Sequence, residues 1–254
     1  MSRSHGVLAV IPARLESTRL PGKLLLAESG QPLIVHTLAA ARRISLFDDV
    51  AVATDSTEIA AAVRESGGIA VLTGQHDSGT DRIREAVLRL KPSQQIIVNV
   101  QGDEPDITDE PIAALVAGLE AHPGTSMSTA CTRFTSQAEL RDPACVKVVC
   151  SRDGHALYFS RSVVPSLEYA AEGAIDLETG PWRRHVGLYA YRREFLDLWD
   201  QLPVSSLQAI ESLEQLRPLE AGKRIHVSTV SAHPPGIDTR SDYDAFLSRV
   251  SRGQ

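Results

Sequence analysis

Val7-Leu8-Ala9-Val10-Ile11-Pro12-Ala13-Arg14-Leu15-Glu16-Ser17-Thr18-Arg19-Leu20-Pro21-Gly22-Lys23 joins a short apolar run to a turn carrying three cations, two hydroxyl side chains and a glycine. The run lacks the apolar/polar alternation of a half-exposed strand, so it predicts a parallel strand buried on both faces. In open α/β sheets the loop leaving the carboxyl end of such a strand is where ligands bind. Arg14, Arg19 and Lys23 can neutralise phosphate charge there, while Ser17, Thr18 and free backbone N–H groups supply short hydrogen bonds. The same residues could form a solvated surface turn, but their place after the first buried strand favours a ligand loop.

Outward from this strand, apolar runs at 50–54, 70–72 and 95–100 alternate with helical patterns at 33–44, 58–66 and 80–90. That βαβ rhythm predicts an α/β fold with an open, doubly wound sheet. A helix over 109–122 follows, with Pro111 near its first turn and Pro123-Gly124 stopping it. Beyond residue 126 the rhythm breaks. Strands at 128–132, 145–150, 156–159 and 186–191 lack full helices between them, so antiparallel pairing is expected, with Asp153-Gly154 turning one hairpin. The sheet is therefore expected to be mixed, in a single domain over 1–254 with a smaller antiparallel module at about 126–192. Residues 165–184 hold two prolines and two glycines without periodicity and read as a mobile loop. Helices return at 194–201 and 207–221, before a strand at 225–230 and a final helix from about Ser241.

A net charge of −6 argues against a nucleic-acid polymer as partner, so the cations of the first loop point to a small anion. Cys131, Cys145 and Cys150 are odd in number and fit no C-x-x-C spacing, which predicts reduced thiols and a reducing compartment. The residues before Val7 are too few and too polar for a signal peptide, and no apolar run approaches 18 residues, so a cytoplasmic protein without a membrane span is expected.

Two familiar phosphate loops are excluded by spacing. A Walker loop would need glycine at the position of Ser17 and a hydroxyl residue at that of Leu24, and no G-x-G-x-x-G occurs. Gln101-Gly102-Asp103-Glu104-Pro105 leaves another buried strand, and Gly236-Ile237-Asp238-Thr239 follows the last one. Asp103 and Asp238 are candidate Mg²⁺ ligands, since that ion is usually held by one or two carboxylates with substrate phosphate oxygens and water. Asp103 could equally serve as a turn former and Asp238 as the cap of the final helix. Asp77 and Asp81 flank Ser78-Gly79-Thr80, either a plain helix cap or a turn offering N–H groups and hydroxyls to a polar ligand.

The opening segment resembles the N-terminal signature of the sugar-nucleotide cytidylyltransferases. Ile11-Pro12-Ala13-Arg14 followed by Ser17-Thr18-Arg19-Leu20-Pro21-Gly22-Lys23 is most similar to the 3-deoxy-manno-octulosonate (Kdo) cytidylyltransferase family. Thr54-Asp55, Ser78-Gly79-Thr80-Asp81-Arg82, Val98-Asn99-Val100-Gln101-Gly102-Asp103-Glu104-Pro105, Ala156-Leu157-Tyr158-Phe159-Ser160-Arg161, His185-Val186-Gly187-Leu188-Tyr189, Leu213-Glu214-Gln215-Leu216-Arg217 and Gly236-Ile237-Asp238-Thr239 follow in that family's order. Dispersed motifs over roughly 7–240 are far more specific than one short pattern.

The resemblance implies a Rossmann-like nucleotide-diphosphosugar transferase fold and the reaction CTP + Kdo → CMP-Kdo + pyrophosphate, for lipopolysaccharide precursor synthesis. It also implies Mg²⁺ on Asp103 and Asp238, and a homodimer; the antiparallel module, which has no role in a minimal nucleotide-binding sheet, is expected to cover the sugar and support that dimer. CTP would be held by Ala13, Arg14, Ser17, Thr18, Arg19, Lys23, Thr54, Asp55, Ser78, Gly79, Thr80 and Gln101. With only 5% aromatic residues, the base is expected against backbone groups rather than between rings. Gln101, Glu214 and Gln215 would contact the sugar. Arg161 suits its carboxylate through forked N–H donors, and His185 and Tyr189, four apart on an expected strand and so on one face, are expected to line the sugar pocket. In the helix expected from Leu207, Ile210, Leu213 and Leu216–Leu219 make a core stripe, with Glu211, Glu214 and Gln215 beside it.

No protein nucleophile is poised in the sequence, so the sugar's anomeric hydroxyl is expected to attack the α-phosphorus. Arg14, Lys23, Asp103 and Asp238 form the expected catalytic set. The family's helix often begins Pro-Leu-Glu; here Ser206-Leu207-Gln208 stands instead, which leaves an 8-amino analogue or another ulosonic acid open as acceptor. A non-catalytic nucleotide-binding module would lack a metal aspartate or the sugar face, and both are present.

Overall fold

A computed structural model describes residues 5–17, 19–168 and 176–252; Thr18 and the centre of the expected mobile loop lie outside the described residues. The chain divides into two compact units, Met1–Asp109 with Pro234–Gln254, and Glu110–His233. The antiparallel segment expected at 126–192 falls within the second unit, which extends further on both sides.

In the first unit β1 (Val7–Ala13), β2 (Asp49–Thr54), β3 (Ile69–Leu72) and β4 (Ile96–Asn99) form a parallel ladder in the order β3-β2-β1-β4. Successive side chains of a strand point to opposite faces, and β1 is buried at Val7, Leu8, Ala9, Val10 and Ile11 alike. Both faces of the strand are therefore covered, as its unbroken apolar run requires. The crossovers are α1 (Leu33–Arg43), α2 (Thr57–Glu65) and α3 (Gly79–Leu90). Ser56 caps α2 by accepting from the Ile59 amide, and Ser78 caps α3 by accepting from the Asp81 amide at 3.1 Å.

The second unit opens with α4 (Asp109–Ala121), whose first residue lies at the boundary. There β5 (Met127–Thr132) runs parallel to β9 (Ile225–Thr229) and antiparallel to β8 (Arg183–Arg192). The hairpin of β6 (Lys147–Cys150) and β7 (Ala156–Ser160) turns at Gly154 as expected, and β6 also pairs with β8. Five-residue α5 (Gln137–Arg141), capped by Ser136, had no apolar period to announce it. The described flanks of the expected mobile loop are anchored: Trp182 is buried with Phe134 and Leu140, and its indole N–H donates to the Pro165 carbonyl at 2.9 Å.

One helical expectation fails. In place of a helix over 194–201 stand α6 (Arg193–Asp197) and a 3-10 turn at Trp199–Gln201, a small change. The helix expected over 207–221, however, is two short ones, α7 (Ser206–Glu211) and α8 (Leu216–Glu220), parted where Ser212 takes φ 52°. Ile210, expected in the core stripe, is 81% exposed. Glu211, Glu214 and Gln215 do not share one helix face. The final helix, α9, spans Arg240–Arg252 in the first unit.

Candidate active site

The first-unit site is assembled from three loops. After β1 the chain turns at Gly22, whose φ of 65° suits glycine, and enters a 3-10 turn at Lys23–Leu25. Lys23 Nζ donates to Asp103 Oδ2 at 2.5 Å, to Asp238 Oδ1 at 2.8 Å and to the Ile237 carbonyl at 2.9 Å. Arg19 Nη2 lies 2.8 Å from Asp238 Oδ2. Burial alone would lower the Lys23 pKa, but Asp103 and Asp238 outweigh it and hold the ammonium above its ordinary value.

Asp238 is not the cap of α9. The Thr239 amide and hydroxyl both donate to Asp242 Oδ2 at 2.8 Å, and the Asp238 amide donates to the same oxygen at 3.1 Å. The cap is Thr239, whose hydroxyl accepts from the Asp242 amide at 3.2 Å while the Asp242 carboxylate reaches back to the amides before the helix, and the Asp238 carboxylate faces the cations. Asp103 is set beside it by a bond from the Ile237 amide to the Asp103 carbonyl. Gly236 permits the approach: a Cβ there would stand 3.3 Å from Asp103 Oδ1.

Pro12, Arg14, Ser17, Arg19, Lys23, Gln101, Asp103 and Asp238 line one cavity, and Arg14 also lines a second of about 750 Å³ with Asp55, Ser56, His76, Asp77 and Arg82. The ends of β1 and β2 stand side by side there, Ala13 opposite Thr54. Thr54 itself is fully buried, and its hydroxyl accepts from the Ser56 amide at 3.1 Å, so its side chain is part of the wall's support. Ser78 is engaged with Asp81 as a helix cap, with Gly79 and Thr80 as the first turn of α3. Arg82, nearly inaccessible, binds Asp55 at 2.8 Å and Thr73 Oγ1 at 2.8 Å. It fixes a carboxylate at the cavity's edge and lies within the Ser78–Arg82 motif, the signal that could have singled it out.

Asp103 and Asp238 fit a hard divalent ion. Two carboxylates already converge on one cationic atom, and among the described residues no cluster of three or more His, Cys, Asp or Glu side chains could hold a metal. An ion at this pair would complete its shell with other oxygens, the habit of Mg²⁺ beside phosphates.

The second unit has its own cavity, of roughly 250 Å³, lined by Ala144, Cys145, Val146, Arg184, His185, Gly187, Tyr189, Leu213 and Gln215. The β5–β8 register shifts between Thr129 and Ala130, so that Thr129 pairs with Tyr189 and Cys131 with His185. Both rings stay on one face, 5.6 Å apart. The Thr129 hydroxyl lies 2.8 Å from the Leu188 carbonyl, 3.1 Å from the Val186 carbonyl and 2.9 Å from His185 Nε2. With its single proton on a carbonyl, the network assigns His185 Nε2 as the donor and Nδ1 as the acceptor. Burial pushes the His185 pKa down to about 3, keeping the ring neutral. Burial, then the charge of Glu214, raises the Tyr189 pKa.

Gln215 is 2% exposed, and its Nε2 has no hydrogen-bond partner. A buried amide donor left unpaired costs about 1–3 kcal/mol, and Gln215 is one of the residues around the cavity. Arg161 is not among the lining residues. Its Nε donates to the Glu211 carbonyl at 2.7 Å, Nη1 to the Pro143 carbonyl at 3.1 Å and Nη2 to the Ser212 carbonyl at 3.4 Å, while its amide donates to Glu211 Oε2 at 2.8 Å. Arg161 thus holds the break between α7 and α8. The cation at the cavity is Arg184, paired with Glu139 at 2.5 Å; it stands immediately before the quoted His185 motif, and sequence reasoning passed over it.

A cytidylyltransferase family model matches residues 8–225. The 3-deoxy-manno-octulosonate cytidylyltransferase of Rhodopirellula baltica is 43% identical over 96% of this chain and 98% of its own. That of Nitrosococcus oceani is 44% identical, covering 92% and 93%. Among solved structures, a CMP:2-keto-3-deoxy-manno-octonic acid synthetase complexed with CTP superposes with a TM-score of 0.87 at 39% identity, covering 98% of this chain and 100% of that one. A 4-diphosphocytidyl-2C-methyl-D-erythritol synthase from Anaerococcus prevotii, at TM-score 0.62 and 12% identity over 98% of this chain and 99% of that one, shares the fold.

Proposed function

The chain belongs to the cytidylyltransferase family, among its 3-deoxy-manno-octulosonate members, and on that premise we propose that it couples CTP to Kdo, forming CMP-Kdo and pyrophosphate. The observation that carries the site assignment is the convergence of Asp103 and Asp238 on one cation beside the Arg14–Lys23 loop. We assign the triphosphate to that loop and the base and ribose to the wall with Asp55. The sugar acid belongs to the second unit's cavity, where Gln215 Nε2 and His185 Nδ1 offer a donor and an acceptor to its hydroxyls.

The sugar's anomeric oxygen forms the new bond to the α-phosphorus as the bond to pyrophosphate breaks. Arg14, Arg19 and Lys23 stabilise the departing charge, and the barrier falls through positioning and charge neutralisation. Asp103 and Asp238 would hold Mg²⁺, which when bound supplies Lewis acidity toward the phosphate and the attacking hydroxyl. The acceptor carboxylate is assigned to Arg184, since the guanidinium of Arg161 already serves three carbonyls.

A homodimer is part of the reading, supported by Leu157, Leu198, Val204 and Ile210, large apolar side chains that the second unit leaves exposed. Three free cysteines support a reducing, cytoplasmic setting, and among the described residues no helix is long and apolar enough to cross a membrane. The product's place is in lipopolysaccharide precursor synthesis.

Pyrophosphate release with a panel of substrates tests the proposal. CTP should be preferred widely over ATP and GTP, with UTP a weaker substitute, because a site that hydrogen-bonds a particular base edge penalises unpaired groups. Kdo should be turned over and sialic acid, with its N-acetyl group and longer chain, refused. Comparable rates with sialic acid, or with ATP, would overturn it.

A further inference from the structure

Lys23 and a divalent ion need the same oxygens. The ammonium has three N–H bonds, and all three are directed at acceptors: Asp103 Oδ2, Asp238 Oδ1 and the Ile237 carbonyl. The second oxygen of Asp238 faces Arg19. Two carboxylates are thus balanced by two side-chain cations, and the Lys23 side chain is only 13% exposed. An Mg²⁺ ion binds oxygen at about 2.0–2.1 Å, so an ion drawing on both carboxylates would have to occupy the space of the ammonium.

We propose that Lys23 is an exchangeable occupant of the metal position, holding Asp103 and Asp238 against divalent ions until a triphosphate draws its ammonium away. The proposal rests on the assignment of metal and CTP given above. Lys23 sits on a flexible four-carbon stem in a cavity that it shares with Arg14 and Ser17. The ammonium can therefore pass from carboxylate to phosphate oxygens without leaving that cavity. Triphosphate oxygens offer it more negative charge than the aspartates alone, and the vacated carboxylates become ligands. Metal and nucleotide binding are then coupled, and each raises the affinity for the other by the same factor.

The test is Mn²⁺ binding to the full chain, followed by the electron paramagnetic resonance of the free ion without nucleotide, and by water-proton relaxation with CTP present. A competitor that holds the site nine parts in ten weakens apparent affinity about tenfold. Lys23→Met should therefore bind Mn²⁺ about tenfold more tightly than wild type without nucleotide, while CTP tightens Mn²⁺ binding strongly in wild type and weakly in the variant. Lys23→Gln provides a second variant should the methionine protein fail to fold. Nucleotide-free Mn²⁺ binding as tight in wild type as in the folded variants would overturn the proposal. Formation of CMP-Kdo by wild type, measured alongside, separates the two claims: that activity can persist while the exchange fails, whereas its absence removes the functional reading itself.

Discussion

The Ile237 amide donates to the Asp103 carbonyl at 2.9 Å, tying together two loops far apart in sequence. This bond sets the carboxylates of Asp103 and Asp238 side by side, and the capping of α9 by Thr239 with Asp242 leaves Asp238 facing the cations. Both carboxylates hold the Lys23 ammonium, so the asparagine variants, which keep an acceptor oxygen for it, separate loss of charge from loss of the fold.

Gln215→Leu should trade function for stability. The substitution removes a buried donor that has no partner, so melting temperature should hold or rise, whereas the KM for Kdo should increase about fivefold to tenfold for the loss of one hydrogen bond worth about 1 kcal/mol. The KM for CTP should not move. A lower melting temperature with an unchanged Kdo KM would make Gln215 a packing residue.

Arg184→Ala and Arg161→Ala should fail in different ways. The first should raise the Kdo KM about tenfold or more, as expected for a charge-assisted bond to the carboxylate worth about 1.5–3 kcal/mol, with a small change in melting temperature. The second should lower the melting temperature, because the carbonyls of Pro143, Glu211 and Ser212 lose their donor. The reverse pattern would return the carboxylate to Arg161.

Much of the first unit was legible in sequence. Val7–Ala13 is a buried parallel strand because nothing in its apolar run alternates, and β2 and β4 follow the same rule, whereas β3 at the edge leaves Ile69 and Leu72 exposed. The break at Ser212 was not legible, since the leucines around it keep helical spacing and no glycine marks the left-handed turn. For the same reason the capture of Arg161 by three carbonyls could not be foreseen: those carbonyls are offered only because the helix stops there. Asp103 and Asp238 stood out through their glycines and the strands before them, and family resemblance assigned them the metal. The contact of both with Lys23 depends on tertiary folding alone.

Stability should fall as the solution is acidified. Burial, reinforced by the nearby His122 and His155, pushes the His226 pKa down to about 4. Burial also holds His185 at about 3. Because these folded values lie below the unfolded value of about 6.5, the unfolded chain binds protons first. Their contribution is complete above about pH 6.5 and is lost as pH falls through that value toward the folded pKa values. Melting temperature should be level from pH 8 to 7 and decline from about 6.5 to 4.5, with a shallower slope in His226→Gln. A slope unchanged by that substitution would remove His226 from the effect.

Light scattering at micromolar concentration should give twice the 27.5 kDa mass of one chain. Ile210→Asp, which places a charge at a residue 81% exposed, should shift the protein toward the monomer without unfolding it. A single-chain mass for wild type would contradict the dimer.

The most direct test of the account is the conversion of CTP and Kdo, followed by phosphorus NMR with Mg²⁺ present, in wild type, Asp103→Asn and Asp238→Asn. Wild type should yield CMP-Kdo and pyrophosphate in equal amounts. Each variant should lose about a hundredfold or more in kcat while melting near the wild-type temperature. Turnover within a few fold of wild type in either folded variant would contradict the assignment of that carboxylate, and absence of CMP-Kdo from wild type would contradict the function.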